Sequence, residues 1–416
     1  MLPQIDHLPV NWVDGMKISR KHFTHFEHFV SDHLRDVQAA GLTTYAYGLL
    51  ASDAPDFSLR VITDAGQNVR VQLTNCRAVT GAGYRVEIIG GQVELSTNLP
   101  AILEKYNLPP ADEQQFLIVL SVDIFARQPE GQPANNEPFP RPPFTLPTYT
   151  LNIVPSFQYD GAGRNGSAGA PHYASAQFES SHLIVGRLNA KFGQLTNDDG
   201  FIPACTAINA HVALRTWVDQ SAKLFAELQR DAYRIVTKVL RKRRTQEAFK
   251  AGPLAELIRV LAAQVAHSLD DVLNHLQYGG HEQPPLAYLK LIARATRNLK
   301  TTLDCLAEED KNAPAVGREL VLPYFQSWTN IEPAVFDGAV NALITHPYQH
   351  TNVAEHLRIV NRCWELLQTI FRKMTELEYI GQENTDYDFD TQRKSTHKSD
   401  LHTERVNDPF GGYSFQ

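Results

Sequence analysis

Residues 11–29 read NWVDGMKISRKHFTHFEHF and are the most informative stretch of the chain. A Trp-x-Asp-Gly-Met turn leads into a segment in which apolar residues recur every three or four positions, the spacing of one helix face. This predicted face consists of Phe23, Phe26, Val30, Leu34 and Val37. The segment also offers metal chemistry or a docking surface, because it carries four histidines: His22, His25, His28 and His33.

Composition limits the class of protein. The chain has 416 residues, of which 43% are hydrophobic and 20% charged, values typical of soluble globular proteins. This length predicts roughly two or three domains. The net charge of -7 argues against a nucleic-acid-binding surface over the whole molecule. The 4 cysteines form no Cys-x-x-Cys pair, which favours a reducing cytoplasm over a disulfide framework. We also expect neither a cleaved leader nor a membrane-anchoring helix.

The first half of the chain predicts a β-sandwich. Residues 70–73 and 84–88 alternate in polarity, and glycines lie between them, as in two strands joined by a turn. Residues 116–125 (FLIVLSVDIF) are apolar almost throughout, which is typical of a strand buried on both faces. Residues 148–154 and 182–190 are expected to form a second strand pair across a loop rich in Gly, Ala and Ser.

Prolines interrupt this half between Pro129 and Pro147, where seven occur. Proline lacks a backbone donor and has a fixed φ, so it disrupts regular strand pairing. We therefore expect an extended loop or arm here, through which no regular ladder runs.

Helical spacing begins near Ala210. Four amphipathic helices with short connections predict an up-down antiparallel bundle, and a fifth helix follows from Asn352. The last 36 residues are too polar to order by themselves. The predicted organisation is an N-terminal anchoring segment, a β-sandwich domain, a helical bundle, a C-terminal helix and a disordered tail, at residues 1–40, 41–205, 206–346, 347–380 and 381–416. The fold class is mixed β and α.

Little in the sequence selects a reaction. His22, His25 and His28 drift off one helix face and lack the glutamate of a His-Glu-x-x-His site. The acid pairs 198–199 and 270–271 are typical of a turn and of a solvated helix surface. The basic run 241–244 suits a helix end better than phosphate binding. We therefore predict no catalytic residues, no metal and no cofactor.

The chain resembles the TssK family of type VI secretion baseplate subunits over roughly residues 8–345. Three segments carry the resemblance: Trp12-x-Asp14-Gly15-Met16-x-Ile18 followed by His22-Phe23; residues 192–205, which contain Asp198-Asp199-Gly200-Phe201-Ile202-Pro203-Ala204; and Pro284-Pro285-Leu286-Ala287-Tyr288 with Leu322-Pro323-Tyr324 ahead of Pro333 and Phe336.

This resemblance implies a homotrimer with a β-sandwich shoulder and a helical-bundle middle. Such a protein links the baseplate wedge proteins TssF and TssG to the membrane-anchored part of the machine, at the inner face of the bacterial cytoplasmic membrane, without catalysis. Family members usually end in a small head domain that contacts the membrane complex. Here one long helix and a polar tail follow Ile344, which implies a divergent branch with a different, unidentified membrane-side partner.

The predicted partner-binding or assembly residues are Trp12, Asp14, Gly15, Met16, His22, Phe23 and Phe26, with Phe410, Tyr413 and Phe415 in the tail. We expect Trp12 and the face of Phe23 and Phe26 to fix the N-terminal segment against the rest of the subunit. The face could instead meet a trimer neighbour or the wedge. Two other functions stay open: a contractile-phage-like baseplate or receptor-binding adaptor, and a metal-dependent enzyme centred on the early histidines.

Overall fold

The structure of this chain, a computed structural model, describes residues 4–52, 56–64, 68–109, 113–133, 140–156, 181–244, 253–306 and 317–377. Antiparallel sheets occupy the N-terminal half and helices the C-terminal half, which confirms the predicted fold class. The strands are β1 (Gly48–Leu49), β2 (Ser58–Thr63), β3 (Asn68–Val79), β4 (Arg85–Asn98), β5 (Glu113–Glu130), β6 (Phe144–Pro155), β7 (His182–Lys191) and β8 (Gln194–Asn197). The helices are α1 (Arg20–Ala40), α2 (Leu99–Lys105), α3 (Val212–Arg244), α4 (Pro253–Gln277), α5 (Pro285–Cys305), α6 (Leu322–Thr329), α7 (Pro333–Thr345) and α8 (Val353–Glu376).

The first sheet is built around β3. Strand β4 pairs with β3 over its whole length, from Asn68 opposite Asn98 to Val79 opposite Arg85. Strands β1 and β2 pair with successive parts of β3. All of these pairings are antiparallel, and the inward residues of β3 alternate with outward ones, as the polarity pattern predicts.

The second sheet has the order β6-β5-β7-β8. Strand β5 is central, and its residues 116–120 are all buried, as expected for an uninterrupted apolar run. The predicted pairing of residues 148–154 with 182–190 is wrong, because β6 and β7 each pair with one edge of β5 and not with each other. Strand β5 has two free edges, and β6 pairs with one of them and β7 with the other.

The proline-rich stretch is also more regular than predicted. Residues 127–130 pair with residues 144–147, including Pro129 opposite Thr145 and Pro147 opposite Arg127. This ribbon lies beyond the end of β7, so each of its strands has one ladder partner in the described structure and a missing N–H is tolerated on the other side. The β5–β6 ladder therefore continues into both ends of the proline-rich stretch, at residues 127–130 and 144–147.

The two sheets pack through a common apolar core. Val71, Leu73 and Val86 of the first sheet and Phe116 and Ile118 of the second are completely buried in it. Hydrogen bonds join the sheet rims: the Glu87 N–H donates to Tyr149 Oη at 3.2 Å, and Thr63 Oγ1 donates to the Leu195 carbonyl at 3.0 Å. The core fixes the sheets face to face.

Helix α3 organises the helical half. Its buried stripe, including Phe225, Leu228 and Ile235, packs against α4 and α8. The C-terminal helix α8 is part of this bundle. Phe225 meets Trp364 edge to face with centroids 5.0 Å apart, and Lys238 Nζ donates to the Leu377 carbonyl at the end of α8. Within the described residues, no helix combines the length and apolar character needed to cross a membrane.

The two halves are joined at a buried junction. Leu49 of β1 bridges to Cys205, and the Thr206 N–H donates to the Leu49 carbonyl at 2.9 Å. His350, which precedes α8, is bonded through Nε2 to the Tyr47 carbonyl at 2.9 Å and through Nδ1 to the Tyr348 hydroxyl at 2.9 Å. The chain just after α1 is therefore held against the chain just before α8.

Candidate assembly surface

The N-terminal arm begins the candidate site. The Met16 N–H donates to the Val13 carbonyl at 3.2 Å, and Gly15 has φ +77°, so the Trp-x-Asp-Gly-Met motif forms a turn that favours glycine. Asp14 and Gly15 are exposed at this turn, and Met16 is half-buried. Helix α1 starts four residues after Met16.

The early histidines serve different structural roles. His22 Nδ1 accepts the Ser19 N–H at 3.1 Å, which satisfies a donor at the start of α1. His28 packs against His7 and Phe125, with ring centroids 5.1 and 5.2 Å away, and His33 packs on Phe29 at 4.4 Å.

The environment of His28 does not favour its charged form. Burial lowers the pKa of His28, and the nearby His7 and Arg127 lower it further. In the described part of the chain, no three His, Cys, Asp or Glu side chains converge to hold a metal ion. The metal-enzyme hypothesis therefore gains no support from the geometry of these histidines.

A buried ion pair holds the arm against α1. The Asp32 carboxylate accepts two hydrogen bonds from Arg35, at 3.0 Å from Nε and 2.7 Å from Nη2. Its other oxygen accepts the N–H groups of Asp6 and His7 at 2.8 and 3.0 Å. Arg35 Nη2 also donates to the Gln4 carbonyl at 3.3 Å. We call this arrangement the Asp32–Arg35 clasp.

The groups around Asp32 favour its charged form. Burial alone would raise the pKa of the Asp32 carboxyl, but the N–H groups of His7 and Asp6 and the Arg35 guanidinium hold that pKa below its ordinary value. Arg35 also lies over the Tyr84 ring, 5.6 Å from its centroid. Because the pair is buried, removing one partner would leave an uncompensated charge.

Two further contacts dock α1 on the sandwich. A Cβ on Gly83 would lie 2.4 Å from the Arg35 carbonyl oxygen, so only glycine lets the β3–β4 turn approach the helix this closely. At the other end, Arg127 of β5 donates to Glu27 and to Ser31 Oγ, each at 3.0 Å. The docked side of α1 is thus largely polar.

The apolar side of α1 faces outward. Phe23, Phe26, Leu34 and Val37 are 57%, 45%, 65% and 72% exposed, whereas Asp32, Arg35 and Ala39 are buried. Trp12 and Ile18 of the arm are 48% and 58% exposed. We define the N-terminal surface as the six exposed residues Trp12, Ile18, Phe23, Phe26, Leu34 and Val37.

This orientation bears on one prediction from the sequence. The sandwich offers α1 polar groups, and the helix meets them with its polar side, while Trp12, Phe23 and Phe26 keep about half of their surface exposed. That these three side chains fix the N-terminal segment against the subunit therefore stays a prediction. Sequence reasoning missed Asp32, Arg35 and Arg127. The signal for the first two was an acid–base pair three residues apart on the face opposite the apolar stripe.

Cations adjoin the N-terminal surface. Lys17, Arg20 and Lys21 are exposed, and in the ranges that the structure describes none of them forms an ion pair. The first turn of α1 contains no acidic residue. Positive side chains at a helix N-terminus are unfavourable with respect to the helix dipole.

The other charged motifs have local partners. Asp198 accepts from Arg187 Nε at 2.6 Å, and Asp270 accepts from Gln229 at 2.6 Å. The basic run 241–244 lies at the C-terminal end of α3, as expected for a helix-end cluster. The tail candidates Phe410, Tyr413 and Phe415 lie outside the described residues.

No protein-family model and no curated protein matches the chain. It is similar to solved structures of TssK. A crystal structure of TssK aligns with a TM-score of 0.46 and 13% identity over 89% of this chain and 70% of that one. TssK from EAEC in complex with a nanobody aligns with a TM-score of 0.44 and 15% identity over 84% of this chain and 99% of that one. The type VI secretion TssK–TssF–TssG baseplate subcomplex aligns with a TM-score of 0.40 and 14% identity over 89% of this chain and 99% of the matched chain.

Proposed function

We propose that this chain is a non-enzymatic structural adaptor of a type VI secretion baseplate. Its partners are two further copies of itself in a homotrimer, wedge proteins of the TssF and TssG type, and a membrane-anchored protein of unknown identity. The adaptor works in the cytoplasm, at the inner face of the membrane, through these partners. The proposal draws on the motif Trp12-x-Asp14-Gly15-Met16 with His22-Phe23, which lies in and beside the N-terminal surface.

One observation carries the proposal: α1 presents its apolar side to solvent while a buried clasp holds its polar side. The clasp contacts the arm and the sandwich only through the polar side of α1, and its presence alone is weak evidence of added stability. Burying a large apolar side chain is worth about 1.5–3 kcal/mol. A partner that covers Trp12, Phe23 and Phe26 would therefore gain most of its binding energy at these rings, as at other interface hot spots.

The test is co-purification of the tagged full-length protein from its native cells. Phe23→Asp with Phe26→Asp is expected to abolish recovery of the wedge proteins, because it places two charges in the centre of the docking face. The matched control is Phe192→Asp, which adds a charge at an aromatic residue that is 84% exposed in the β7–β8 turn. Wedge recovery that survives the double change would overturn the assignment of this surface, and so would an equal loss of recovery in the control.

Oligomeric state is tested separately. Light scattering of the wild-type protein at micromolar concentration is expected to give the mass of three chains. A monomeric mass would contradict the trimer while leaving the wedge-binding test intact.

A further inference from the structure

The N-terminal surface is elongated. Its helical part runs from Phe23 to Val37, a length of about 21 Å along α1 at the usual helical rise. Trp12 extends this surface past the start of the helix, because its ring lies 6.1 Å from the ring of His22 in the first turn. A surface of this shape suits a second helix, whose own apolar stripe would lie along it.

The N-terminal end of this surface is positive. Lys17, Arg20 and Lys21 are exposed there, and the backbone N–H groups of the first turn add partial positive charge. The first turn contains no acidic residue. Farther along α1, Glu27 already forms an ion pair with the sandwich, and Asp36 lies near the C-terminal end. Within the described residues, the positive end is therefore not neutralised.

A second copy of α1 does not suit this charge distribution. Identical helices that pack on one another around a rotation axis parallel to them run in the same direction, so their N-terminal ends meet. In a trimer arranged in this way, the exposed cations of three chains would adjoin, and like charges repel one another. Charge complementarity therefore favours a different chain, one that brings carboxylates.

This occupant would meet a surface that is already formed. The Asp32–Arg35 clasp and the close approach of Gly83 hold the opposite side of α1. Binding therefore does not need to order or rotate the helix, which lowers the entropic cost of association.

We propose that the partner element is an amphipathic helix with carboxylates at one end of its apolar stripe. The stripe covers Phe23 and Phe26, and the carboxylates pair with Lys17, Arg20 and Lys21. This inference rests on the proposed function, to which it adds the chemistry of the segment through which a wedge protein docks. Apolar contact supplies most of the affinity, whereas the charges increase the association rate and fix the register.

The first experiment measures association of the full-length protein with its co-purified wedge proteins by surface plasmon resonance at several salt concentrations. The wild-type association rate is expected to fall as ionic strength rises. The variant K17E/R20E/K21E is expected to associate about 10-fold or more slowly at low ionic strength and to lose this salt dependence. The matched control K223E/R230E/K290E reverses three exposed cations of α3 and α5 and should stay close to wild type.

Zero-length carbodiimide crosslinking of the native assembly supplies the second measurement, because it joins lysines to carboxylates in direct contact. Mass spectrometry is expected to find links from Lys17 or Lys21 to a wedge protein, with Lys223 and Lys290 as control lysines. Links from Lys17 and Lys21 to another copy of this chain would overturn the inference.

Two further outcomes would also overturn it: wedge association that K17E/R20E/K21E leaves unchanged, and cation-dependent binding to vesicles of phosphatidylglycerol and phosphatidylethanolamine in place of the wedge. Unchanged association would leave the proposed function standing, because the wedge still binds. Absence of wedge proteins from the purified assembly would instead refute both proposals.

Discussion

Helices α1 and α8 each carry apolar residues at every third or fourth position, over residues 23–37 and 353–374 respectively. In α8 the stripe is buried, with Leu367 and Phe371 completely enclosed by the bundle. In α1 the corresponding stripe is exposed, and Phe26 and Leu34 face solvent. A periodic pattern therefore identifies an apolar face but does not identify what covers it.

The neighbours of the two helices explain the difference. Helix α8 lies against α3 and α7, whose facing side chains are apolar. Helix α1 lies against the end of a strand ribbon and a tight turn, which offer Arg127, Gly83 and backbone groups. An apolar face gains nothing from such neighbours, and the helix docks through its polar residues.

The largest contrast is expected between Phe371→Ala in α8 and Phe26→Ala in α1. Phe371→Ala should lower the free energy of unfolding by about 3–5 kcal/mol, because a cavity replaces a packed ring. Phe26→Ala should change the free energy of unfolding by less than about 0.5 kcal/mol. Urea titration of both variants measures the difference. A comparable loss at Phe26 would mean that the ring is covered in the isolated protein.

The clasp gives the next largest effect. Asp32→Asn leaves the buried Arg35 without its anion and should destabilise the docking of α1 by about 3 kcal/mol. Hydrogen exchange across residues 20–40 should rise while exchange in α8 stays unchanged. Asp36→Asn, on the same helix and without a described ion pair, is the control. Equal exchange in both variants would show that the clasp does not hold the helix.

Mild acid should destabilise the junction around His350, just before α8, and leave the Asp32–Arg35 clasp intact. Burial lowers the pKa of His350 to about 4, from an ordinary 6.5. The unfolded state therefore takes up a proton below pH 6.5 that the folded state does not, and stability falls from pH 6.5 towards pH 4 by about 2 kcal/mol at pH 5.

Asp32 acts in the same direction but at lower pH. Its contribution is present above the ordinary carboxyl pKa and is lost as the pH falls from there through its lowered pKa. The measurement is the unfolding free energy between pH 8 and pH 5 for wild type and for His350→Gln, whose amide can still donate to the Tyr47 carbonyl. A slope that is the same in both proteins would exclude His350 as its source.

The smallest effect is expected from removing residues 381–416. The deletion should leave the bundle intact and shift Tm by less than about 2 °C, since α8 is already packed before the cut. It should weaken one partner contact in co-purification. A large fall in Tm would show instead that the tail is an integral part of the fold.

Patterns local in sequence predicted much of this molecule. The apolar run 116–125, the stripes of α3 and α8 and the Trp-x-Asp-Gly-Met turn all depend on spacing within one segment, and the structure confirms them. Strand partners were harder to predict. Residues 148–154 and 182–190 both pair with β5, because only the assembled sheet determines which edges are available.

Residues 11–29 separate what the sequence determines from what only the tertiary structure decides. Their order of side chains alone determines that a turn is followed by a helix with an aromatic face, since both depend on backbone preference and periodicity. Which side of that helix meets the sandwich was decided by residues distant in sequence, Gly83 and Arg127, and by the Asp32–Arg35 clasp with the backbone of Asp6 and His7. Such contacts leave no periodic trace, because their free energy comes from burial and charge pairing that exist only after the chain has folded.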